Sequence, residues 1–124
     1  MKAVRPRREV MTPREVLRAL RAGLYTVDRH TGAVTSKRGP VAMWQKPSGR
    51  RFVRLYVRGK VKAIAVARLV WMSVADRVIP RGFEVHHDDE DNANDAWDNL
   101  LCLHRLDHRK KHRAVGGDED EIPF

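Results

Sequence analysis

Residues 84–112, EVHHDDEDNANDAWDNLLCLHRLDHRKKH, constrain this chain more than any other stretch. Phe83 to His87 reads as a short strand, Leu100 to Leu103 as its partner, and His104 to about Arg113 as a basic helix. Neighbouring residues on a strand point to opposite faces, so His86 and His87 part company. His108 and His112 stand at i and i+4. That puts two imidazoles on one helix face, where they can share a metal ion. Asn99 sits where the loop turns into the second strand, and its side chain can hydrogen-bond backbone groups and brace that loop.

The rest of the chain is short. A length of 124 residues predicts one compact domain with arms. Residues 1–10 are basic and lack periodicity, as a flexible arm would. Thr12-Pro13-Arg14-Glu15 is a capping box with Pro at the first helical position, and Val16, Leu17 and Leu20 give the helix an apolar face. Gly23 stops it, so a helix is expected over 13–22. Strands at 24–27 and 33–35 flank a hairpin loop that holds His30. Lys37-Arg38-Gly39-Pro40 reads as a break, and 41–44 as a third strand. Residues 51–57 alternate basic and apolar. They turn at Arg58-Gly59-Lys60 and return over 61–65, a hairpin with one wet, basic face. Val66, Leu69, Val70 and Val74 follow helical spacing, which predicts a helix over 66–76. Trp71, Trp97 and Leu100 are expected in the core, and Trp44 also, with DNA contact beside Lys46 and Arg50 as its alternative.

Charge is divided unevenly. Residues 1–82 carry 20 Lys/Arg against 4 Asp/Glu, residues 83–103 carry 7 acids and no Lys or Arg, and residues 104–113 carry 5 bases and 1 acid. A basic field with one acidic pocket suits an enzyme that attracts phosphate backbone and places a cation within it. Charge alone fits equally a basic, ribosome-associated type of protein with a solvated acidic loop. The apolar runs fall short of the ~20 residues that span a bilayer, and no secretory signal follows the basic N-terminus. With one cysteine, Cys102, the chain forms no internal disulfide. A cytoplasmic setting, in a bacterial cell or a phage-infected host, is expected.

The stretch 84–112 resembles the HNH endonucleases, also called ββα-metal nucleases. His87 precedes Asn99 by 12 positions, His108 lies 9 past Asn99, and His112 lies 4 past His108. Asp89 and Asn94 stand where phage and intron-encoded members carry Asp and Asn. LYTVDRHTGAVTS and VARLVWMSV are similar to the segments that precede the motif. The resemblance implies an α+β fold, with a small N-terminal helix and β-hairpins leading into a C-terminal ββα-metal motif. It divides the chain into a basic arm (1–10), a helix and hairpin DNA-binding region (11–82), the nuclease motif (83–114) and an acidic tail (115–124).

It implies roles as well. His87 is the general base and Asn99 the loop anchor. His86, His108 and His112 are ligands of one divalent ion, Mg, Mn, Ni or Zn. Homing-type members often carry Asp at the place of His86 and Asn at that of His108, so this ligand set looks more like that of bacterial DNase toxins. An all-imidazole set suits Zn, Ni or Mn better than Mg. The partner is double-stranded DNA, and the chain is of phage or mobile-element type. Arg51, Arg54 and Arg58 are expected to hold DNA, and Arg105 and Arg109 the phosphates beside the metal.

Asp88, Glu90, Asp91 and Asp95 are expected to form a solvated loop face, His104 to lie on the final helix one turn before His108, and His30 to serve a turn. The end of the chain, Asp118 to Phe124, resembles the acidic tip of bacterial single-stranded DNA-binding proteins. Ile122, Pro123 and Phe124 would then dock a protein partner; the alternative is a solubilising tail that folds back on the basic body. The competing reading of the whole chain is an inactive nucleic-acid-binding or adaptor protein that recruits replication or packaging partners through that tail.

Overall fold

The computed structural model describes residues 9–106. The first helix, α1 (Pro13–Arg21), begins on the expected capping box. Thr12 Oγ1 accepts from the Glu15 N–H at 3.2 Å, and Glu15 Oε1 accepts from the Thr12 N–H at 3.0 Å. The helix stops at Gly23, whose φ of +73° an L-residue with a side chain adopts only under strain. Val16, Leu17 and Ala19 are buried on its inner face.

Three small antiparallel sheets follow. The first joins β1 (Tyr25–Val27), β2 (Val34–Ser36) and β3 (Gly39–Pro40). Gly39-Pro40, expected as a break, is therefore a two-residue edge strand opposite Thr35 and Ser36, a position where Pro can sit without a ladder donor. The second joins β4 (Met43–Gln45), β5 (Arg51–Val57) and β6 (Lys60–Ala65). Its hairpin turns on Arg58-Gly59, with φ of +50° and +79° between the pair Val57–Lys60, as a two-residue loop of twisted strands requires. The third pairs β7 (Phe83–His87) with β8 (Leu100–His104), in register from Phe83–His104 to His87–Leu100.

The second helix, α2 (Val66–Ala75), is the centre of the molecule. Val66, Ala67, Leu69, Val70, Trp71 and Met72 are all buried, and an apolar surface on nearly every side can be covered only from several directions. It packs on α1, β1, β5, β6, β7 and β8. One cluster of buried side chains runs from Met11 to Cys102, so the basic N-terminal region and the β7–β8 hairpin share a core. At its C-terminus Asp76 takes a left-handed conformation (φ +54°). Arg21 from α1 closes that end, donating to Asp76 Oδ1 at 2.7 Å and to its carbonyl at 2.9 Å. The architecture is α+β, and no helix among the described residues is long and apolar enough to cross a membrane.

Candidate functional site

β7 delivers the two histidines as alternation requires. Val85 and His87 face the core, and His87 is 1% exposed; His86 is half-buried on the other face with Glu84. Across the hairpin His86 pairs with Leu101 and Glu84 with Leu103.

The acidic loop after β7 is held from within. Asn99 Nδ2 donates to Asp89 Oδ1 at 2.9 Å and to the Asn94 carbonyl at 2.8 Å, and Asn99 Oδ1 accepts from the Asp89 N–H at 3.1 Å. Asn94 Nδ2 donates to Asp89 Oδ2 at 2.9 Å, and the Asp91 N–H reaches Asp89 Oδ1 at 2.9 Å. Asn99 thus binds the loop at its start and at its middle. These donors, Asn94 first and then Asn99 and the Asp91 amide, hold the Asp89 carboxyl below the usual carboxylate range. With both oxygens occupied, Asp89 is a structural brace. The loop is also tied to the body, with Asn92 Nδ2 on the Ser48 carbonyl and the Trp97 N–H on the Arg29 carbonyl.

Asp95 departs from the expected solvated face. It is 2% exposed, one of two buried polar residues among those described, and the other is His87. Asp95 Oδ1 lies 2.7 Å from His87 Nε2, and Oδ2 accepts from Arg51 Nε at 2.8 Å. Arg51 Nη2 continues to the Thr31 carbonyl at 2.8 Å. Arg51, expected on DNA, is therefore held inside the protein. The reason is its parity on β5, where it falls on the side of the buried Val53 and Leu55. Among the described residues, His87 Nδ1 takes no hydrogen-bond partner.

The wet face of the second sheet carries Phe52, Arg54 and Tyr56. It is more aromatic and less basic than expected. Trp44, expected in the core, stands 37% exposed, stacked on Phe52 at 5.8 Å with Arg54 over its ring at 5.4 Å; Lys46 lies over Phe52 at 4.3 Å. Trp71 is buried as expected. An open cleft of about 670 Å³ beside this face includes Lys37, Arg38, Arg54 and Arg58 in its lining. Lys37 and Arg38 were not singled out by sequence, because their proximity to Arg54 is made by the fold.

His104 ends β8 rather than opening a helix. Its ring meets Phe83 edge-on at 5.3 Å, and its Nδ1 accepts from the Leu106 N–H. His30 donates its backbone N–H to Asp28 Oδ1 in the first hairpin loop, an ordinary turn contact. Arg105 is exposed at the start of the segment after β8. Burial pushes the Cys102 thiol up to about 11, which leaves it inert. Among the described residues no three His, Cys, Asp or Glu side chains gather as a metal cluster. Of the expected ligands His86 is described, while His108 and His112 lie outside the described residues, as do Arg109, Ile122, Pro123 and Phe124.

The family model for HNH endonucleases matches residues 65–110, which runs from the start of α2 past β8. A solved structure, described as DNA binding and cleavage by the HNH homing endonuclease I-HmuI, is similar with a TM-score of 0.62 and 24% identity. The similarity covers 73% of this chain and 52% of that one, so this chain matches about half the length of that protein. At that identity the likeness speaks for the fold. No curated protein matches the chain.

Proposed function

From a chain whose residues 65–110 match the family model for HNH endonucleases, we propose a metal-dependent endonuclease that hydrolyses DNA phosphodiester bonds. The observation that carries the reading is the end of β7. There one histidine is clamped by a buried carboxylate, beside a second on the opposite face and a loop braced by Asn99. In this reading the protein is of phage or mobile-element type and works in a bacterial cytoplasm.

His87 takes a proton from the water that attacks phosphorus, and Asn99 keeps the loop in place. His86 fits a metal ligand by chemistry and by its position away from the core, with His108 and His112 as the partners that spacing assigns. These residues would hold a divalent ion, which when bound would supply positive charge to the phosphate and the departing 3′ oxygen. Alternation on β7 sets His87 and His86 on opposite faces, so base and ligand would not compete for one nitrogen. Products carry a 5′ phosphate and a 3′ hydroxyl. Arg54 and Arg58, joined by Lys37 and Arg38 in the open cleft, hold backbone phosphates of double-stranded DNA. Trp44 and Tyr56 add exposed aromatic surface beside them. Arg105 and Arg109 serve the phosphates nearer the metal.

Plasmid cleavage in Mg, Mn, Ni and Zn tests this. Wild type should cut with at least one ion. His87→Ala should cut about 100-fold or more slowly while binding DNA as before, since a general base contributes roughly 10²–10⁴-fold. A wild-type protein that binds DNA and cuts with no ion would be a non-catalytic binding module. A His87→Ala variant that retains a tenth of the activity would remove His87 from the chemistry.

A further inference from the structure

We infer that Asp95, held by Arg51, is a positioning residue that fixes His87 in one tautomer, with the proton on Nε2 and the accepting lone pair on Nδ1. The inference rests on the reading of His87 as the base.

The geometry divides the Asp95 carboxylate between two donors. Oδ2 takes Arg51 Nε at 2.8 Å, and Oδ1 faces His87 Nε2 at 2.7 Å. Both side chains of the His87–Asp95 pair are 1% exposed, so water does not replace either contact. An ionised carboxylate only accepts hydrogen bonds. A neutral imidazole facing it at that distance must therefore donate, and the proton belongs to Nε2. The lone pair is left on Nδ1, the other nitrogen of the ring. The order of groups is that of an acid–base pair whose base is oriented from behind by a carboxylate.

Arg51 fixes the carboxylate in turn. Its Nη2 is anchored on the Thr31 carbonyl, so the guanidinium cannot swing away while the first hairpin loop stays packed. Gly32 lets that loop come close, since a Cβ there would stand 2.9 Å from Arg51 Nη2 and 3.3 Å from Asp95 Cβ. The sequence around the His pair gives no hint of this arrangement, because Arg51 comes from β5 and Thr31 from the loop between β1 and β2.

An amide at position 95 separates positioning from packing. In Asp95→Asn the guanidinium still donates and draws the amide oxygen to itself. The amide NH2 then faces His87 Nε2 and donates to it. The tautomer inverts, the proton moves to Nδ1, and the lone pair turns into the core. The shape of the side chain hardly changes.

Long-range proton–nitrogen NMR spectra of the full, metal-free chain in mildly alkaline buffer read the tautomer directly, with His87 assigned by the signal lost in His87→Gln. Wild type should show a protonated Nε2 and an unprotonated Nδ1. Asp95→Asn should show the reverse, with DNA affinity unchanged and cleavage at saturating DNA lower by about 100-fold or more. A wild-type His87 protonated on Nδ1 overturns the inference, and this spectrum decides it even if the variant does not fold. A folded Asp95→Asn that cleaves within about threefold of wild type overturns it too. Failure of the underlying reading looks different: His87→Ala would then keep cutting, whatever the tautomer.

Discussion

At the scale of single residues, Gly32 carries more than its size suggests. Its φ is +79°, and a Cβ would meet Val66 Cγ1 at 2.7 Å as well as the Arg51 guanidinium at 2.9 Å. Alanine there meets a backbone conformation it disfavours and a core with no room, two costs that act together. Gly32→Ala should lower unfolding free energy by about 2 kcal/mol or more, read from the denaturant midpoint. Because the displaced group is Arg51, the folded fraction should also cleave more slowly. A variant with wild-type stability would show that the loop does not press on the clamp. Gly59, also at positive φ but with open space around it, meets only the backbone part of that cost.

At the scale of elements, the start of α1 is the clearest case of local chemistry setting structure. Glu15 receives Lys60 Nζ at 2.7 Å and the Thr12 N–H at 3.0 Å. The Lys60 contact first, and the Thr12 amide second, hold its carboxyl at about 2 against an ordinary 4.5. A carboxyl depressed on folding stabilises the folded state above the unfolded value and loses that contribution as pH falls. Wild type should therefore lose stability relative to Glu15→Gln between pH 4.5 and about 2, and the two should run parallel above that window. Thermal melts across the range decide it, and parallel curves throughout would show that the contact contributes nothing. Thr12→Ala, which removes the other half of the box, should cost about 1 kcal/mol at neutral pH.

At the scale of the whole molecule, the distribution of charge decides how DNA would be held under the proposed function. The described basic residues of the cleft, Lys37, Arg38, Arg54 and Arg58, are spread over two sheets and do not line one recognition helix. Contacts of that kind hold phosphates and carry no base identity. Binding should weaken steeply with salt, and Arg54→Ala with Arg58→Ala should weaken it on all sequences alike while reducing the salt slope by about two. Titrations of several unrelated duplexes over a range of salt measure both quantities. Binding that ignores salt, or a loss confined to one sequence, would point to base readout from elsewhere. Arg51→Ala belongs to another class: its loss should appear in stability and in His87, with little change in the salt slope.

Much of this fold is written in short-range pattern. The capping box gave α1, alternation and the Arg58-Gly59 turn gave the β5–β6 hairpin, and the spacing of His87 from Asn99 located the strand, the loop and the residue that braces it. Each rests on periodicity or on hydrogen bonds between near neighbours, which a sequence states directly. The site was legible to the same depth. His86 and His87 could be placed on opposite faces of one strand because alternation alone requires it. The partner of His87 could not be found that way. Asp95 looks like any acid of a polar loop, and Arg51 like any base of an alternating strand; they meet across 44 positions. Whether Asp95 turns inward, Arg51 pairs within the protein and Trp44 turns out depends on which surfaces α2 covers. That is a property of packing between distant segments, so it was decided only when the whole chain folded.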